Sequence, residues 1–119
     1  MRIAVAAQGA DADAALDPRF GRAAFLVVHD TETGTFEAVA NTVNLQAAQG
    51  AGIQTAAAVV NTGCTALIAG HCGPKAFTAL HSAGIAVYSC DAGTVRQAVE
   101  ALAAGQLKPL GQADRESHW

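Results

Sequence analysis

The chain has 119 residues, of which 51% are hydrophobic and 14% charged. This length fits one domain, and this composition excludes a disordered chain because it allows a large apolar core. A net charge of −3 argues against non-specific nucleic-acid binding, which favours basic proteins. We find neither an apolar run long enough to span a membrane nor a signal-peptide cleavage site, so we expect a cytoplasmic protein.

The first part of the chain has the pattern of β-strands. Apolar residues predict a strand over 2–7 and a second over 23–30. A tight turn at 31–34 leads to a third strand over 35–41, in which apolar and polar residues alternate. The second and third strands should therefore form a hairpin.

Beyond residue 50, helices and strands alternate. We predict helices over 51–63, 74–84 and 94–105, separated by strands over 65–70 and 85–90. Glycines near the ends of the helices provide stop signals. A globular domain over 1–107 then leaves a polar tail over 108–119.

Two of the predicted helices have informative patterns. In the first, Ile53, Ala57 and Val60 share one apolar face. In the third, Thr94 and Gln97 have the spacing of a capping box, in which each side chain bonds the other residue's backbone N–H. The third helix is therefore the most clearly delimited element of the chain.

The order β-β-β-α-β-α-β-α indicates an α/β fold. The natural solution is a mixed five-stranded sheet of order 3-2-1-4-5, with strand 2 antiparallel and helices on its faces. Strands 2 and 3 lie on one side of strand 1, and strands 4 and 5 lie on the other. Open α/β sheets form a crevice at such a change of side, which here falls between strands 1 and 4. We expect all three helices to begin at that edge.

Basic residues and glycines concentrate at the same predicted edge. The basic residues are Arg19, Arg22, Lys75 and Arg96. Because helix N termini attract anions and disfavour nearby cations, this clustering suggests an anion between them. By contrast, we interpret the carboxylates of Asp11, Asp13 and Asp17 as a solvated acidic loop.

The segment "GHCGP" at 70–74 allows two interpretations. His71 and Cys72 could ligate a metal, or the loop could present backbone N–H groups to an anion. The cysteines, Cys64, Cys72 and Cys90, are too widely spaced for a disulfide framework or a CxxC zinc site. Both interpretations of the loop stay open at this point.

Several motifs resemble those of the dinitrogenase iron–molybdenum cofactor biosynthesis family. They are "DPRFGRA" at 17–23, "AQGAGIQTA" at 48–56, "IAGHCGPKAF" at 68–77 and "GTVRQAVEALAAGQL" at 93–107. The resemblance implies a fold similar to ribonuclease H and a non-enzymatic carrier of iron–molybdenum–sulfur clusters or their precursors. Within the family, the chain is similar to a branch from sulfate-reducing bacteria that holds a molybdenum–copper sulfide cluster without ordinary cysteine ligation.

The resemblance also implies a cofactor-binding edge. The family residues that match are Phe20, Gly21, Arg22, Gly50, Gly52, Gly70, Gly73, Pro74 and Thr94. The basic cluster and the loop considered above add Arg19, His71, Cys72 and Lys75 to the candidate cofactor-binding residues. Arg19 departs from the histidine that the family often has there, and His71 with Cys72 fills a variable part of its loop. Direct metal ligation by His71 and Cys72 remains optional.

These observations favour non-covalent carriage of an anionic molybdenum–copper cluster or an iron–molybdenum precursor. A phosphate- or nucleotide-binding module is the first alternative, although the chain lacks a P-loop and GxGxxG. An adaptor is the second, because the resemblance implies cluster-assembly proteins or an ATPase as partners. A nuclease is disfavoured because strands 1 and 4 carry no carboxylates for metal ions.

Overall fold

The computed structural model describes residues 1–41, 51–90, 93–107 and 109. The strands are β1 (Arg2–Ala7), β2 (Phe25–Asp30), β3 (Phe36–Ala40), β4 (Ala66–Ala69) and β5 (Ala86–Ser89). The α-helices are α1 (Ala51–Asn61), α2 (Pro74–Ser82) and α3 (Val95–Ala103). A short 3-10 turn, Phe20–Arg22, precedes β2 and was not predicted from the sequence.

The strands form one sheet in the order β3-β2-β1-β4-β5, which confirms the predicted topology. The β1–β2 and β2–β3 pairs are antiparallel, whereas β1–β4 and β4–β5 are parallel. Gly63 and Gly84, with φ of 76° and 80°, follow α1 and α2. These left-handed conformations, which glycine adopts readily, explain why the helices end shortly before the predicted bounds.

The two faces of the sheet are covered differently. On one face, α1 and α2 pack through Val59, Phe77 and Leu80 onto residues such as Leu67. On the other face, α3 packs onto a separate cluster that includes Ile68. Because neighbouring strand residues point to opposite faces, α3 is separated from α1 and α2 by the full thickness of the sheet.

The apolar pattern of α1 is turned outward. Ile53 and Val60 do share a face, but their side chains are 45% and 44% exposed. The buried face instead consists of Thr55, Ala56 and Val59. None of the helices in the described part of the chain is long and apolar enough to cross a bilayer.

Candidate functional site

Two loops meet by backbone hydrogen bonds at the carboxyl edge of the sheet. The His71 N–H donates to the Pro18 carbonyl at 2.9 Å, and the His71 carbonyl accepts from the Phe20 N–H at 3.2 Å. A Cβ atom on Gly70 would lie only 2.6 Å from the Pro18 Cα. Gly70 is therefore required for the close approach of these two backbones.

Asp17 anchors the first of these loops. Its carboxylate accepts a hydrogen bond from the Arg19 N–H at 2.9 Å, and its own N–H donates to the Ala6 carbonyl at 3.0 Å. The residue is only 6% exposed, so the interpretation of Asp17 as part of a solvated loop is wrong. Its side chain shapes the turn before Phe20, whereas Asp11 and Asp13 are exposed as expected.

A buried polar group on α1 holds the 3-10 turn in place. The Thr55 hydroxyl lies 3.4 Å from the Gly21 carbonyl and 3.3 Å from Asn41 Oδ1. The Asn41 amide in turn donates to the Ala23 carbonyl at 2.7 Å. Sequence reasoning missed Thr55, although a threonine in the otherwise apolar middle of a helix is a usable signal.

These contacts enclose a pocket of about 290 Å³ between the 3-10 turn and the starts of α1 and α2. It is lined by Phe20, Gly21, Gly52, Ile53, His71, Gly73, Pro74, Lys75 and Ala76. Much of this lining consists of glycine backbone and apolar carbon, and Lys75 brings a cationic side chain to it. The structure thus brings together most of the residues that the sequence placed at the binding edge.

The N terminus of α2 lines this pocket. Gly73 occupies the N-cap position, where it has φ −66° and ψ 167° and offers no capping side chain. Pro74 follows at the first helical position and has no N–H group. The first-turn N–H groups of a helix have no acceptor within the helix, and they favour an anion.

The N terminus of α3, by contrast, is closed. Thr94 Oγ1 accepts from the Gln97 N–H at 3.2 Å while Gln97 Oε1 accepts from the Thr94 N–H at 3.0 Å, which confirms the predicted capping box. Carbonyls of the 12–14 segment accept from the Val95 and Arg96 N–H groups. α3 thus begins after the carboxyl end of β5, as expected, but the N–H groups of Val95 and Arg96 are bonded within the protein instead of lining the pocket.

Arg96 is also directed away from the pocket. Its guanidinium forms an exposed ion pair with Asp13 at 3.3 Å and lies 5.3 Å from the centroid of the Phe36 ring. Phe36 belongs to the α3 side of the sheet. Neither Arg96 nor Thr94 lines the pocket. Both face outward from the site because α3 occupies the opposite side of the sheet.

His71 and Cys72 do not point to a common place. His71 lines the pocket, whereas Cys72 is 2% exposed and packs in the core beneath α1 and α2. Across the described residues, no group of three or more His, Cys, Asp and Glu side chains could hold a metal ion. The geometry therefore favours the anion-binding interpretation of this loop over the ligand pair.

The remaining predicted site residues have less direct positions. Arg19 and Arg22 are exposed on either side of the buried Phe20, next to the pocket but outside its lining. Gly50 lies outside the described residues, as do residues 108 and 110–119 of the predicted tail. Away from the pocket, burial raises the pKa of the Cys64 thiol, although a hydrogen bond from Thr62 opposes that shift.

Comparison with known proteins identifies the family. The model of the family described as "Dinitrogenase iron-molybdenum cofactor" matches residues 1–105. The chain therefore belongs to this family, and the resemblance seen in its sequence is confirmed.

Solved structures support the same assignment. The apo form of the orange protein from Desulfovibrio gigas is 43% identical, with a TM-score of 0.92 over 96% of both chains. A NifB-like protein from Thermotoga is 35% identical, with a TM-score of 0.83 over 97% of both chains. An uncharacterized protein of Methanocaldococcus jannaschii is 28% identical over 96 residues, which are 78% of this chain and 80% of that protein.

Proposed function

We propose that this member of the dinitrogenase iron–molybdenum cofactor family binds an anionic metal–sulfide cluster as cargo and carries it without catalysing a reaction. The cluster would occupy the pocket between the 3-10 turn and the starts of α1 and α2. A molybdenum–copper sulfide is the first candidate cargo, since the sequence resembles the branch that holds one. An iron–molybdenum precursor is the second.

The observation that carries this proposal is the start of α2, which has no capping side chain, at a pocket lined by Lys75. Sulfide ligands are soft anions that accept hydrogen bonds, so backbone N–H groups and a lysine ammonium complement them. The exposed guanidinium groups of Arg19 and Arg22 flank the pocket and add positive potential at its mouth. The donor set thus fits an anion that already carries its own sulfur ligands.

The pocket also explains how the cargo could leave. Cys72 is buried in the core, and His71 is the imidazole that lines the site. Retention by hydrogen bonds and charge leaves no metal–thiolate bond to break, which suits a carrier that must release its cargo. Cys72 would therefore contribute packing rather than ligation.

Reconstitution tests the proposal. The protein is incubated with tetrathiomolybdate and copper, desalted, and measured by visible absorption and metal analysis. We expect molybdenum and copper to remain with the wild-type protein. Failure of the wild type to retain molybdenum and copper would contradict the molybdenum–copper proposal, and the iron–molybdenum precursor would then be tested in the same way.

Two basic residues provide a matched comparison. Lys75→Gln removes the cation that lines the pocket and should weaken retention roughly tenfold, whereas Arg96→Gln, across the sheet, should leave it unchanged. Cys72→Ser should retain the cluster in whatever fraction folds, because the thiol points into the core. Loss of the cluster by folded Cys72→Ser, with retention by Lys75→Gln, would favour direct ligation.

A phosphate- or nucleotide-binding role uses the same helix N terminus. The pocket volume of about 290 Å³ is at the lower end of small-molecule sites, which favours a compact anion over a whole nucleotide. Calorimetric titration with ATP and with inorganic phosphate distinguishes the roles. Binding of ATP in preference to the thiometallate would replace our proposal. A cluster-assembly protein or an ATPase is the partner class that the family resemblance implies for delivery or transfer.

A further inference from the structure

The outward face of α1 is unusual for a surface helix because it contains an apolar stripe and carries no charged residue. Its stripe consists of Ile53, Ala57 and Val60, and the whole helix lacks Asp, Glu, Lys and Arg. Four large hydrophobic side chains are exposed in the described part of the chain, and two of them lie in this stripe. Surface helices normally place charged residues on the solvent side.

A groove continues from this stripe to α2. It has a volume of about 440 Å³ and is lined by Ile53, Pro74, Lys75, Thr78 and Ala79. Three of these residues, Ile53, Pro74 and Lys75, also line the pocket. We call the stripe and the groove together the α1–α2 face. Anything bound to this face would lie directly against the mouth of the pocket.

The ionisable residues of α1 and α2 are all basic in type. The two helices contain no Asp or Glu, and their ionisable side chains are Lys75 and His81. This contrasts with the chain as a whole, which has ten acidic residues and a net charge of −3. Helices that present apolar residues and a lysine complement a surface that is apolar and acidic.

We propose that the α1–α2 face is a docking surface for a partner protein that presents an apolar segment flanked by carboxylates. Carboxylates of the partner would face Lys75, and its apolar side chains would cover Ile53 and Val60. A second copy of this chain fits less well, because a symmetric dimer would oppose two faces that both lack acidic groups. Docking at the mouth of the pocket would couple binding of the partner to transfer of the cargo. This coupling rests on the proposed function.

The docking itself is tested on the cluster-free protein. The probe is a synthetic helical peptide with leucines along one face and glutamates beside them, and its control replaces every glutamate with lysine. Peptide binding is followed by the backbone amide chemical shifts of the isotope-labelled protein. We expect the acidic peptide to shift amides of α1 and α2, and the lysine peptide to leave them unchanged.

Variants in the groove but outside the pocket lining sharpen the test. Thr78 is exposed, so Thr78→Glu should weaken binding of the acidic peptide roughly tenfold, and Thr78→Lys should strengthen it. Gln106→Glu adds the same charge after α3, across the sheet, and should have no effect. Val60→Asp should also weaken binding while leaving cluster retention unchanged, since Val60 lies outside the pocket lining.

Three results would overturn the docking surface. They are equal binding of both peptides, shifts located away from α1 and α2, and no shift at millimolar acidic peptide. Concentration-dependent self-association that Val60→Asp abolishes would assign the face to a second copy instead. The outcomes for the two proposals are separable, because a wild-type protein that binds the acidic peptide but retains no cluster refutes the cargo and leaves the docking intact.

Discussion

The turn before α2 and the turn before α3 occupy equivalent places in the fold. Each contains glycine, follows a parallel strand and starts a helix of nine residues. Yet α3 is capped by Thr94 and Gln97 and bonded to carbonyls of the 12–14 segment, whereas Gly73 gives α2 no capping side chain. The N–H groups at the start of α3 are bonded within the protein, whereas the start of α2 lines the pocket.

This difference shows that position at the carboxyl edge of a sheet does not by itself define a binding site. The edge supplies helix N termini on both faces of the sheet, and the fold can satisfy their N–H groups internally. A site remains where a glycine replaces the capping side chain and a neighbouring loop provides the opposite wall. In this protein that wall is the Phe20–Arg22 turn, held by the contact between Pro18 and Gly70.

The largest expected effect comes from adding a methyl group at that contact. Gly70→Ala would place a Cβ atom 2.6 Å from the Pro18 Cα and 2.7 Å from its carbonyl oxygen, so the two loops must separate. We expect a loss of about 2–3 kcal/mol in the free energy of unfolding, typical of overpacked sites, together with loss of the pocket wall. Urea denaturation measures the first effect.

Gly73→Ala is the control for that substitution. A Cβ atom on Gly73 meets no atom of the described residues within 4 Å, and its φ of −66° is open to any residue. Because alanine caps a helix less well than glycine, this variant should lose about 1 kcal/mol at most, well below the loss for Gly70→Ala. Equal losses for the two alanine variants would show that the close approach of the loops is not what Gly70 provides.

The second prediction converts the start of α2 into one that resembles the start of α3. Gly73→Asp supplies a capping carboxylate, which should raise the free energy of unfolding by a few tenths of a kcal/mol. The same carboxylate repels an anionic cluster, so retention should weaken at least tenfold, or about 1.4 kcal/mol. Metal analysis after desalting gives the retained fraction.

Gly73→Asn separates capping from charge. Asparagine caps about as well as aspartate but is neutral, so this variant should gain the same stability and lose less of the cluster. Retention by Gly73→Asp equal to that of the wild type would contradict an anion site at α2.

The third prediction concerns the closed helix. Thr94→Ala removes the capping hydroxyl of α3 and should cost about 1 kcal/mol of stability. Cluster retention should be unchanged, because Thr94 does not line the pocket. Thermal denaturation and metal analysis on the same sample check both parts. Loss of the cluster without loss of stability would return Thr94 to the binding edge that the family resemblance implied.

The smallest effect comes from a residue outside both turns. Burial raises the pKa of the Cys64 thiol above its ordinary value of 9.0, so the folded protein holds this proton more tightly than the unfolded chain does. The resulting stabilisation is complete below pH 9 and is lost as the pH rises through the folded-state pKa. The stability difference between wild type and Cys64→Ala should therefore shrink between about pH 7 and about pH 10, as measured by urea denaturation. A constant difference would contradict the shift.

The topology could be predicted because each element has a local signal. Strand alternation, the Thr94–Gln97 spacing and the glycines after the helices all act over a few residues, so a single sequence reveals them. The resemblance of "DPRFGRA" and "IAGHCGPKAF" to family motifs likewise placed both walls of the pocket at one edge. The structure adds that these two segments pair directly, through His71 and Pro18.

The features that escaped prediction depend on tertiary contacts. Whether the stripe containing Ile53 faces the core or the solvent depends on which face of α1 fits against α2, and periodicity describes only the stripe itself. Asp17 and Cys72 are buried, and this too follows from the way the loops meet. Because α3 lies on the opposite face of the sheet, Arg96 is not part of the basic cluster that its position in the sequence suggested.

The central claim is that an anion binds at the start of α2, and locating the bound anion tests it most directly. Isotope-labelled wild-type protein is titrated with tetrathiomolybdate and copper(I), and backbone amide shifts are followed by NMR. We predict that the largest shifts fall on Gly73, Lys75 and Ala76 at the start of α2, while Val95 and Arg96 at the start of α3 stay unchanged. Equal shifts at both helices, or shifts confined to α3, would contradict a site built on the N terminus of α2.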